Sequence, residues 1–264
     1  MEPHRCRRPD ATSAALSAQI TVSGSVVHKL HRTGTDPRAL AQRLRIAAGS
    51  ASLLSPLSVV SERVGLRWQT SWPKVDTVAV DADRVPWAEA GRLLAALHVE
   101  PRPARAPVHG WPQRLRRTVR RLGANSGAVR RAAAGLPEVV WRAGSPGRPK
   151  TLVHGDWHLG QLGRRGGSAP WQLIDVDDVG VGDPVWDLAR PAGFWAAGLL
   201  PDDAWAAFLD AYRGSGPALP TGDPWPVLEP FARAAVVHAA AAGLARGDSE
   251  ETQQALLAAC RRMV

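Results

Sequence analysis

The sequence predicts an α+β fold of two lobes, in which a small antiparallel β-sheet with one helix precedes a larger, mainly helical lobe. Up to residue 75, β-branched and polar residues alternate with the period of strands. From residue 86 onward, apolar residues recur mainly at helical spacing, and two short apolar runs between helices predict one further strand pair. We place the lobe boundary at residue 75, giving lobes of residues 1–75 and 76–264.

The small lobe is predicted from turn and cap residues as well as from alternation. Residues 19–32 (QITVSGSVVHKLHR) alternate around a Gly-Ser pair, which is typical of a β-hairpin. Asp36 at an N-cap, Pro37 in the first turn and Gly49 at the end delimit a helix. Residues 57–73 predict two more strands around a turn near residues 62–65.

The helical lobe is predicted to contain short strands between its helices. Residues 151–156 (TLVHGD) and 171–177 (WQLIDVD) are expected to pair through a turn at 163–170. A Pro-rich loop at 101–112 separates two helical regions. The predicted helices cover residues 86–98, 185–197, 202–212, 226–245 and 249–262. One or two further helices are predicted within residues 113–134, with an interruption near residues 123–127.

The composition predicts a soluble cytoplasmic protein. The chain has 264 residues, of which 45% are hydrophobic and 22% charged, and its mean hydropathy is -0.17. Cys6 and Cys260 lie at opposite ends, which excludes a disulfide framework and a Cys-rich zinc site. The longest apolar stretch, residues 234–245, is too short to span a bilayer, and residues 11–20 are too polar for a signal sequence. We therefore expect no membrane partner.

The net charge of +9 is unevenly distributed. Residues 1–174 contain 27 Lys and Arg against 11 Asp and Glu, whereas residues 175–264 contain 6 against 13. This division could suit a polyanionic cofactor, and the acidic last third could receive a cationic substrate. The use of 30 Arg but only 3 Lys indicates a GC-rich coding bias. Because no basic stripe is interleaved with aromatic residues, we expect no nucleic-acid partner.

Two neighbouring stretches concentrate carboxylates, namely residues 152–161 (LVHGDWHLGQ) and 173–189 (LIDVDDVGVGDPVWDLA). Asp156 and Gln161 lie five residues apart in the first, and Asp175 ends an apolar run in the second. Magnesium is commonly held by one or two carboxylate or amide oxygens together with phosphate oxygens. Phosphoryl transfer needs such a metal, a nearby cation and a carboxylate that accepts the hydroxyl proton.

A transition-metal site is the alternative interpretation of the same residues. His154, Asp156 and His158 have H-x-D-x-H spacing, and Asp175 could complete a mononuclear zinc or manganese site of a metallohydrolase. In that interpretation Gln161 has no function and further histidines are missing.

The two stretches, in this order and spacing, resemble the catalytic and metal loops of the aminoglycoside phosphotransferase and choline kinase family, which has a protein-kinase-like fold. The resemblance implies that Asp156 is the catalytic base and that Gln161 and Asp175 bind Mg²⁺. It also implies that Asp187 braces the catalytic loop through backbone amides and that His154 supports this loop by packing and hydrogen bonding. Asp177 and Asp178 are expected to face solvent or to support the loop.

The resemblance further implies a nucleotide site with ATP (or GTP) as phosphoryl donor. Lys29, within a β-branched run, is expected at the phosphates, and residues 71–76 (SWPKVD) at the hinge, where Trp72 and Lys74 would bind the nucleotide. Trp157, directly after the base, is the best candidate for contact with the substrate. His158 is a second candidate beside the acceptor.

Three departures from the family pattern leave alternatives open. Gln161 stands at the position where the family usually has Asn. The helix after Lys29 has no Glu to pair with this lysine, and Gln42 is the nearest substitute. Residues 11–19 are rich in Ser and Ala where the family has a glycine-rich loop. These departures fit either a trimmed nucleotide lobe or an inactive kinase that only binds. The acceptor could be an aminoglycoside, another hydroxylated metabolite, or Ser/Thr of a biosynthetic peptide. The sequence makes no prediction about oligomeric state.

Overall fold

The structure is a computed structural model of the chain. It describes residues 18–78, 85–123, 126–142, 147–214, 216–217, 219–246 and 250–264. Most of the Ser/Ala-rich segment, residues 11–17, and the predicted first residue of the last helix, Ser249, lie outside the described residues.

The first lobe is built on a four-stranded antiparallel sheet. Its strands are β1 Gln19–Ser23, β2 Val26–Leu30, β3 Glu62–Val64 and β4 Arg67–Pro73, in the spatial order β1-β2-β4-β3. The predicted hairpin is present, and Gly24 at its turn has φ 58°, a conformation that glycine adopts without steric cost. In the β2–β4 register Lys29 lies opposite Thr70 and Val27 opposite Trp72, so these four residues share one face of the sheet.

The second turn of this sheet lies further along the chain than predicted. Residues 62–64, which were expected in the turn, form strand β3, and the turn follows at residues 65–66. Gly65 has φ 61° and supplies the left-handed conformation that a tight turn between strands requires. Residues 57–61 are not in a strand.

Helix α1 follows the hairpin and covers Pro37–Gly49, as predicted. The Asp36 side chain accepts a hydrogen bond from the backbone N–H of Arg38 at 2.9 Å, which satisfies one of the unpaired donors of the first turn. The helix contacts the short 3₁₀ turn Val176–Asp178 of the second lobe, and its Arg43 donates to the backbone oxygen of Val179 at 2.8 Å. The helix therefore lies on the loop that follows Asp175.

Seven further helices are described in the second lobe. They are α2 Trp87–Val99, α3 Gln113–Arg120, α4 Gly127–Ala134, α5 Val185–Ala196, α6 Asp202–Arg213, α7 Trp225–Arg246 and α8 Glu250–Arg262. The most extensive packing is that of α5 along α7 and of α2 along α6. Gly91 permits the second contact, since a Cβ there would lie 2.2 Å from the backbone oxygen of Phe208.

Helix α7 is the central helix of this lobe. By length and composition Trp225–Ala245 could cross a membrane, yet 56% of its most apolar window is buried inside the protein. It packs against α3, α4, α5 and α8. Its apolar character is thus accounted for by the core of the lobe.

The short strands pair differently from the prediction. Strand β6 (Thr151–Val153) pairs with β9 (Gly180–Gly182), whereas β7 (Leu162–Arg164) pairs with β8 (Gln172–Leu173) across the turn. The expected pairing of residues 151–156 with 171–177 is therefore wrong. Residues 165–171 join β7 to β8, which is its nearest partner along the chain, and residues 163 and 164 of the predicted turn lie in β7.

The α+β architecture predicted from the sequence is confirmed, and contacts of β7 and β8 connect its two parts. Strand β5 (Asp76–Thr77) pairs with β7. The backbone N–H of Leu54 donates to the backbone oxygen of Leu173, and that of Leu173 donates to the backbone oxygen of Ser52, each at 2.8 Å. The boundary at residue 75 stays a prediction.

Candidate active site

The loop after β6 carries Asp156, whose side chain is half-buried, beside a tightly packed backbone. Gly155 has φ 80°, and a Cβ at this position would lie 2.3 Å from the backbone oxygen of Asp178. Any other residue would therefore meet both backbone strain and a clash. The glycine allows the loop to pass close to residue 178.

Asp187, in the first turn of α5, holds this loop through backbone amides. Its Oδ2 accepts from the N–H of His154 at 2.6 Å and its Oδ1 from the N–H of Gly155 at 2.8 Å. The Nε2 atom of His98 lies 3.1 Å from Oδ2. Burial alone would raise the pKa of Asp187, but the hydrogen bond from His98 and the neighbouring donors outweigh it and lower that pKa.

His154 and Gln161 connect two loops, which we name after their predicted roles. The catalytic loop is residues 154–161, and the metal loop is residues 174–179. The His154 ring donates from Nε2 to the backbone oxygen of Ile174 at 2.8 Å. The Ile174 N–H in turn donates to the backbone oxygen of Gln161 at 2.8 Å. Gln161 is itself buried. These bonds bring Gln161 next to the residue that precedes Asp175.

Asp175 is the only non-glycine residue with a positive φ among the described residues, at φ 64° and ψ 81°. Its carboxylate accepts from the N–H of Asp177 at 3.3 Å, which stabilises the turn that follows. A left-handed aspartate of this kind is typical of functional sites, because the surrounding structure must hold it there.

Lys29 from β2 reaches this turn across the lobes. Its Nζ atom lies 2.5 Å from Oδ1 of Asp175 and 2.9 Å from Oδ2 of Asp177. Burial would lower the pKa of Lys29, yet the two carboxylates outweigh burial and raise it. The lysine is therefore charged throughout the physiological range.

Asp177 is a site residue that sequence reasoning missed. It was expected to face solvent or support the loop, whereas its carboxylate also lies 3.1 Å from Nδ1 of His31. The other ring nitrogen of His31 lies 2.9 Å from the hydroxyl of Thr70, which also accepts from the indole N–H of Trp72. Burial would raise the pKa of Asp177, but His31 and Lys29 together hold it well below its usual range. The absence of a Glu in the helix after Lys29 was the sequence signal that another carboxylate must pair with this lysine.

A cavity of about 240 Å³ lies between the lobes above these charges. Lys29, Asp175 and Asp177 line it on one side, and the remaining lining residues are mainly apolar: Ile20, Val27, Leu54, Trp72, Pro73, Val75, Thr77, Ile174 and Val176. Lys74 does not line it. Its side chain is exposed, and its backbone N–H donates to the backbone oxygen of Ser25 at 2.8 Å.

The cavity suits a magnesium nucleotide by its donor set. An apolar slot with an indole fits a nucleotide base, and a buried ammonium fits phosphate oxygens. Asp175 offers the cavity a hard oxygen ligand of the kind that Mg²⁺ takes alongside phosphates. Gln161, the other predicted ligand, does not line the cavity. The transition-metal alternative gains no such support, because the rings of both His154 and His158 bond to backbone groups. Among the described residues, no three His, Cys, Asp or Glu side chains are gathered as metal ligands.

Arg114 from α3 is the second residue that the sequence did not reveal. Its Nη2 lies 2.9 Å from Oδ2 of Asp156, and its Nη1 pairs with the carboxylate of Asp178. Burial raises the pKa of Asp156, and the charge of Arg114 offsets part of this rise. Asp178 thus supports the loop, as expected. Arg114 was hidden by its Arg-rich surroundings, where residues 114, 116, 117, 120 and 121 are all arginine.

The predicted substrate residues follow Asp156 directly. Trp157 is 3% exposed and stacks on Phe208 with ring centroids 5.2 Å apart. His158 accepts from the N–H of Gly160 at 3.1 Å, and burial together with nearby positive charges lowers its pKa to about 3. Both residues line a further cavity of about 300 Å³. His158 is neutral there at physiological pH.

The comparison with family models decides the family to which the chain belongs. A model of the phosphotransferase enzyme family, APH, matches residues 37–225, which is more than two thirds of the chain. The chain belongs to the phosphotransferase enzyme family. It is accordingly an ATP-dependent kinase that acts on a hydroxyl group. Strand β2 with Lys29 precedes the matched residues, and helices α7 and α8 follow them or begin at their end.

Solved structures of other kinases share the fold of this phosphotransferase. The microcompartment-associated aminopropanol kinase is 18% identical, with a TM-score of 0.64 over 96% of this chain and 95% of that one. Amicoumacin kinase in complex with AMP-PNP, Ca²⁺ and Ami is 13% identical, with a TM-score of 0.63 over 96% and 91%. A choline/ethanolamine kinase family protein from Mesorhizobium loti is 17% identical, with a TM-score of 0.60 over 94% and 85%.

These similarities confirm the protein-kinase-like fold and the family resemblance read from the two motifs. At such low identities the solved structures establish the fold and no more. A comparison with curated protein sequences finds no significant match.

Proposed function

We propose that the protein transfers the γ-phosphate of Mg-ATP to a hydroxyl group of a small molecule. One observation carries the proposal: Lys29 reaches across the lobes to Asp175 at the mouth of an apolar cavity, while the loop containing Asp156 is bonded to the loop containing Asp175. Lys29 and Asp175 line the cavity, and the loop bonded to that of Asp175 carries Asp156. Together these residues would supply the cation, the metal-binding oxygen and the base that phosphoryl transfer requires.

The division of labour follows from the chemistry of each group. Asp175 and Gln161 would hold Mg²⁺, which when bound neutralises charge on the phosphates. Lys29 binds the phosphates as a point charge. Asp156 accepts the proton of the acceptor hydroxyl as its oxygen attacks. Positioning and charge neutralisation would supply most of the acceleration.

Trp72 is the residue expected to contact the nucleotide base, because it lines the apolar side of the cavity. Lys74 is exposed and does not line it, so its part in nucleotide binding would require movement of its side chain toward the base. We propose ATP as the donor and include GTP as a comparison in the test below.

Small molecules are the favoured acceptors. Two related solved structures are complexes with a small molecule, namely a spectinomycin phosphotransferase with ADP and spectinomycin and amicoumacin kinase with AMP-PNP, Ca²⁺ and Ami. No specific observation favours a peptide acceptor. The ion pair of Lys29 with Asp175 and the presence of Asp156 favour a kinase over a module that binds without turnover. A cytoplasmic location and the lack of nucleic-acid and membrane partners stay predictions.

The decisive experiment measures Mg²⁺-dependent phosphate transfer. The purified protein is incubated with Mg-ATP or Mg-GTP and a panel of hydroxylated acceptors, and products are examined for a mass gain of one phosphate. Asp156→Asn is expected to lower transfer at least about a hundredfold, since a general base contributes at least that much, while nucleotide still binds. The exposed Asp210→Asn on α6 is the matched control. Near-normal transfer by Asp156→Asn would contradict the assigned base.

A further inference from the structure

A pocket beside the catalytic loop has a composition that specifies the kind of acceptor. It has a volume of about 300 Å³, at the small end of ligand pockets. Aromatic and aliphatic side chains make up most of its wall, including Trp87, Trp157, Leu159, Phe194 and Leu199. Trp157 is the neighbour of Asp156 in the chain. Asp156 itself does not line this pocket, but Trp157 lines both the pocket and a small cavity that Asp156 also lines, so the pocket adjoins the loop that carries Asp156.

The walls of this pocket carry positive and no negative charge. Arg190 on α5 is the charged residue among the described lining residues, and none of them is acidic. His158, which also lines the pocket, is neutral at physiological pH because burial lowers its pKa to about 3. The pocket is thus apolar with one guanidinium group.

Arg190 connects this pocket to the reacting group. It also lines a small cavity of about 20 Å³ together with Asp156, Trp186 and His238. Its positive charge acts on the carboxylate of Asp156 and lowers that pKa against the larger effect of burial. The guanidinium carbon lies 5.1 Å from the centre of the Phe194 ring, which orients the side chain along the apolar wall.

None of the described acidic residues of the last third, which could have received a cationic substrate, lines this pocket. Asp203 lines a neighbouring cavity of about 900 Å³ together with Glu89, and three others are engaged in contacts of their own. Asp183 forms a bidentate pair with Arg148, and Asp187 is buried beneath the catalytic loop. Asp202 accepts from the indole of Trp195. A polycationic acceptor beside Asp156 would instead meet Arg114 and Arg190, and like charges at close range oppose binding.

We propose that the acceptor is a hydroxylated molecule with an apolar, ring-sized body and an anionic group such as a carboxylate, which Arg190 binds while the hydroxyl lies at Asp156. The inference rests on the proposed function and specifies its substrate class. Arg190 is then a specificity-determining residue, because a guanidinium binds a carboxylate through two directed hydrogen bonds.

The test uses three acceptors of one shape: 4-(hydroxymethyl)benzoate, its methyl ester, and 4-(aminomethyl)benzyl alcohol, with kanamycin as a polycation. Phosphate transfer from Mg-ATP is measured at mildly alkaline pH, because burial raises the pKa of Asp156. We expect kcat/KM for the carboxylate to exceed that for the ester by about tenfold to a hundredfold, the effect of one charged hydrogen-bonded pair. The amine and kanamycin are expected to be the poorest.

Two variants assign the preference to the pocket. Arg190→Gln is expected to lower kcat/KM for the carboxylate by about tenfold or more and to leave the ester within about twofold, because only the carboxylate uses the guanidinium. Leu199→Glu places a carboxylate on the pocket wall and is expected to shift preference toward the amine. Arg261→Gln, an exposed arginine on α8, controls for net charge, and thermal unfolding confirms that each variant is folded.

A preference of the wild-type protein for kanamycin or the amine would overturn the proposal. An equal loss for all acceptors in Arg190→Gln would also overturn it, because Arg190 would then act on the transferred phosphoryl group. Binding of the three benzyl alcohols without nucleotide, followed by tryptophan fluorescence, gives a readout that needs no turnover. If this binding shows the carboxylate preference and its loss in Arg190→Gln but no phosphate is transferred, the substrate class holds and the proposed reaction fails. Equal or absent binding of all three overturns the substrate class.

Discussion

Lys29 takes its anchoring carboxylate from the metal loop rather than from a helix. Helix α1 contains no acidic residue, so no Glu is available there. Asp177 occupies that role by geometry, with Lys29 on one oxygen and His31 on the other. Hydrogen bonds of His31 with Thr70 and of Trp72 with Thr70 extend this series of polar contacts to the wall of the cavity between the lobes. The position of the lysine is therefore coupled to the residue expected at the nucleotide base.

Asp177→Asn is expected to loosen Lys29 and to raise KM for ATP about tenfold, with a smaller effect on kcat, because one charged hydrogen bond to the lysine is lost. Steady-state kinetics with varied ATP measures this split. Glu62→Gln, an exposed carboxylate in β3, is the control in the same lobe. An unchanged KM would show that Asp175 alone suffices to hold the lysine.

Arg114 is expected to set the acidic limit of activity. Burial raises the pKa of Asp156, and the Arg114 guanidinium at 2.9 Å offsets part of that rise. Replacing it with Gln removes a positive charge that favours the carboxylate, so the pKa of Asp156 rises further. The acidic limb of the kcat/KM profile should therefore move to higher pH. If the acidic limb stays at the same pH while the maximum kcat/KM falls, Arg114 acts on the phosphates instead.

The residues with motif spacing could be predicted from the sequence, and those with only a spatial role could not. Asp156, Gln161 and Asp175 are adjacent to glycines and strand ends, and these leave a pattern in the chain. Arg114 and Arg190 come from helices rich in arginine or apolar residues, and nothing local marks either of them. Their role depends on how α3 and α5 pack, which is a property of tertiary structure.

The catalytic loop depends on a single glycine, which gives a prediction with a matched control. Gly155→Ala faces both a φ of 80° and the Asp178 backbone oxygen at 2.3 Å, so it should destabilise the protein by about 2 kcal/mol or more and impair transfer. Gly166→Ala has the same φ but nothing within 4 Å, so it meets the backbone cost alone. Urea unfolding compares the two. Equal losses would show that the close approach to residue 178 is not the source of the effect.

The elements themselves were predicted best where cap and turn residues act locally. Asp36 and Pro37 begin α1, and Gly24 sits in the first hairpin turn, as expected. The predicted pairing of β6 was wrong because its actual partner, β9, follows the metal loop in the chain. A Cβ at Gly180 would lie 2.4 Å from the backbone N of His109, so β9 is packed against a distant loop. Such a contact leaves no periodic signal in a short strand.

The molecule as a whole should respond to nucleotide by becoming more stable. Mg-ATP binds only the folded protein, so a concentration about a hundredfold above Kd should add about 2.7 kcal/mol to the free energy of unfolding. The wild-type protein is expected to show a higher Tm with Mg-ATP, and Asp175→Asn should lose most of this increase. Differential scanning fluorimetry measures both. An equal increase in the variant would exclude Asp175 as a metal ligand.

The ion pair between Lys29 and Asp175 has a consequence for the order in which ligands arrive. A free divalent cation approaching Asp175 is repelled by an ammonium that lies 2.5 Å from one of the two carboxylate oxygens. A triphosphate offers that ammonium an alternative partner and carries its own cation. Metal and nucleotide should therefore enter the cleft as one complex. The nucleotide-free protein should have little affinity for magnesium alone.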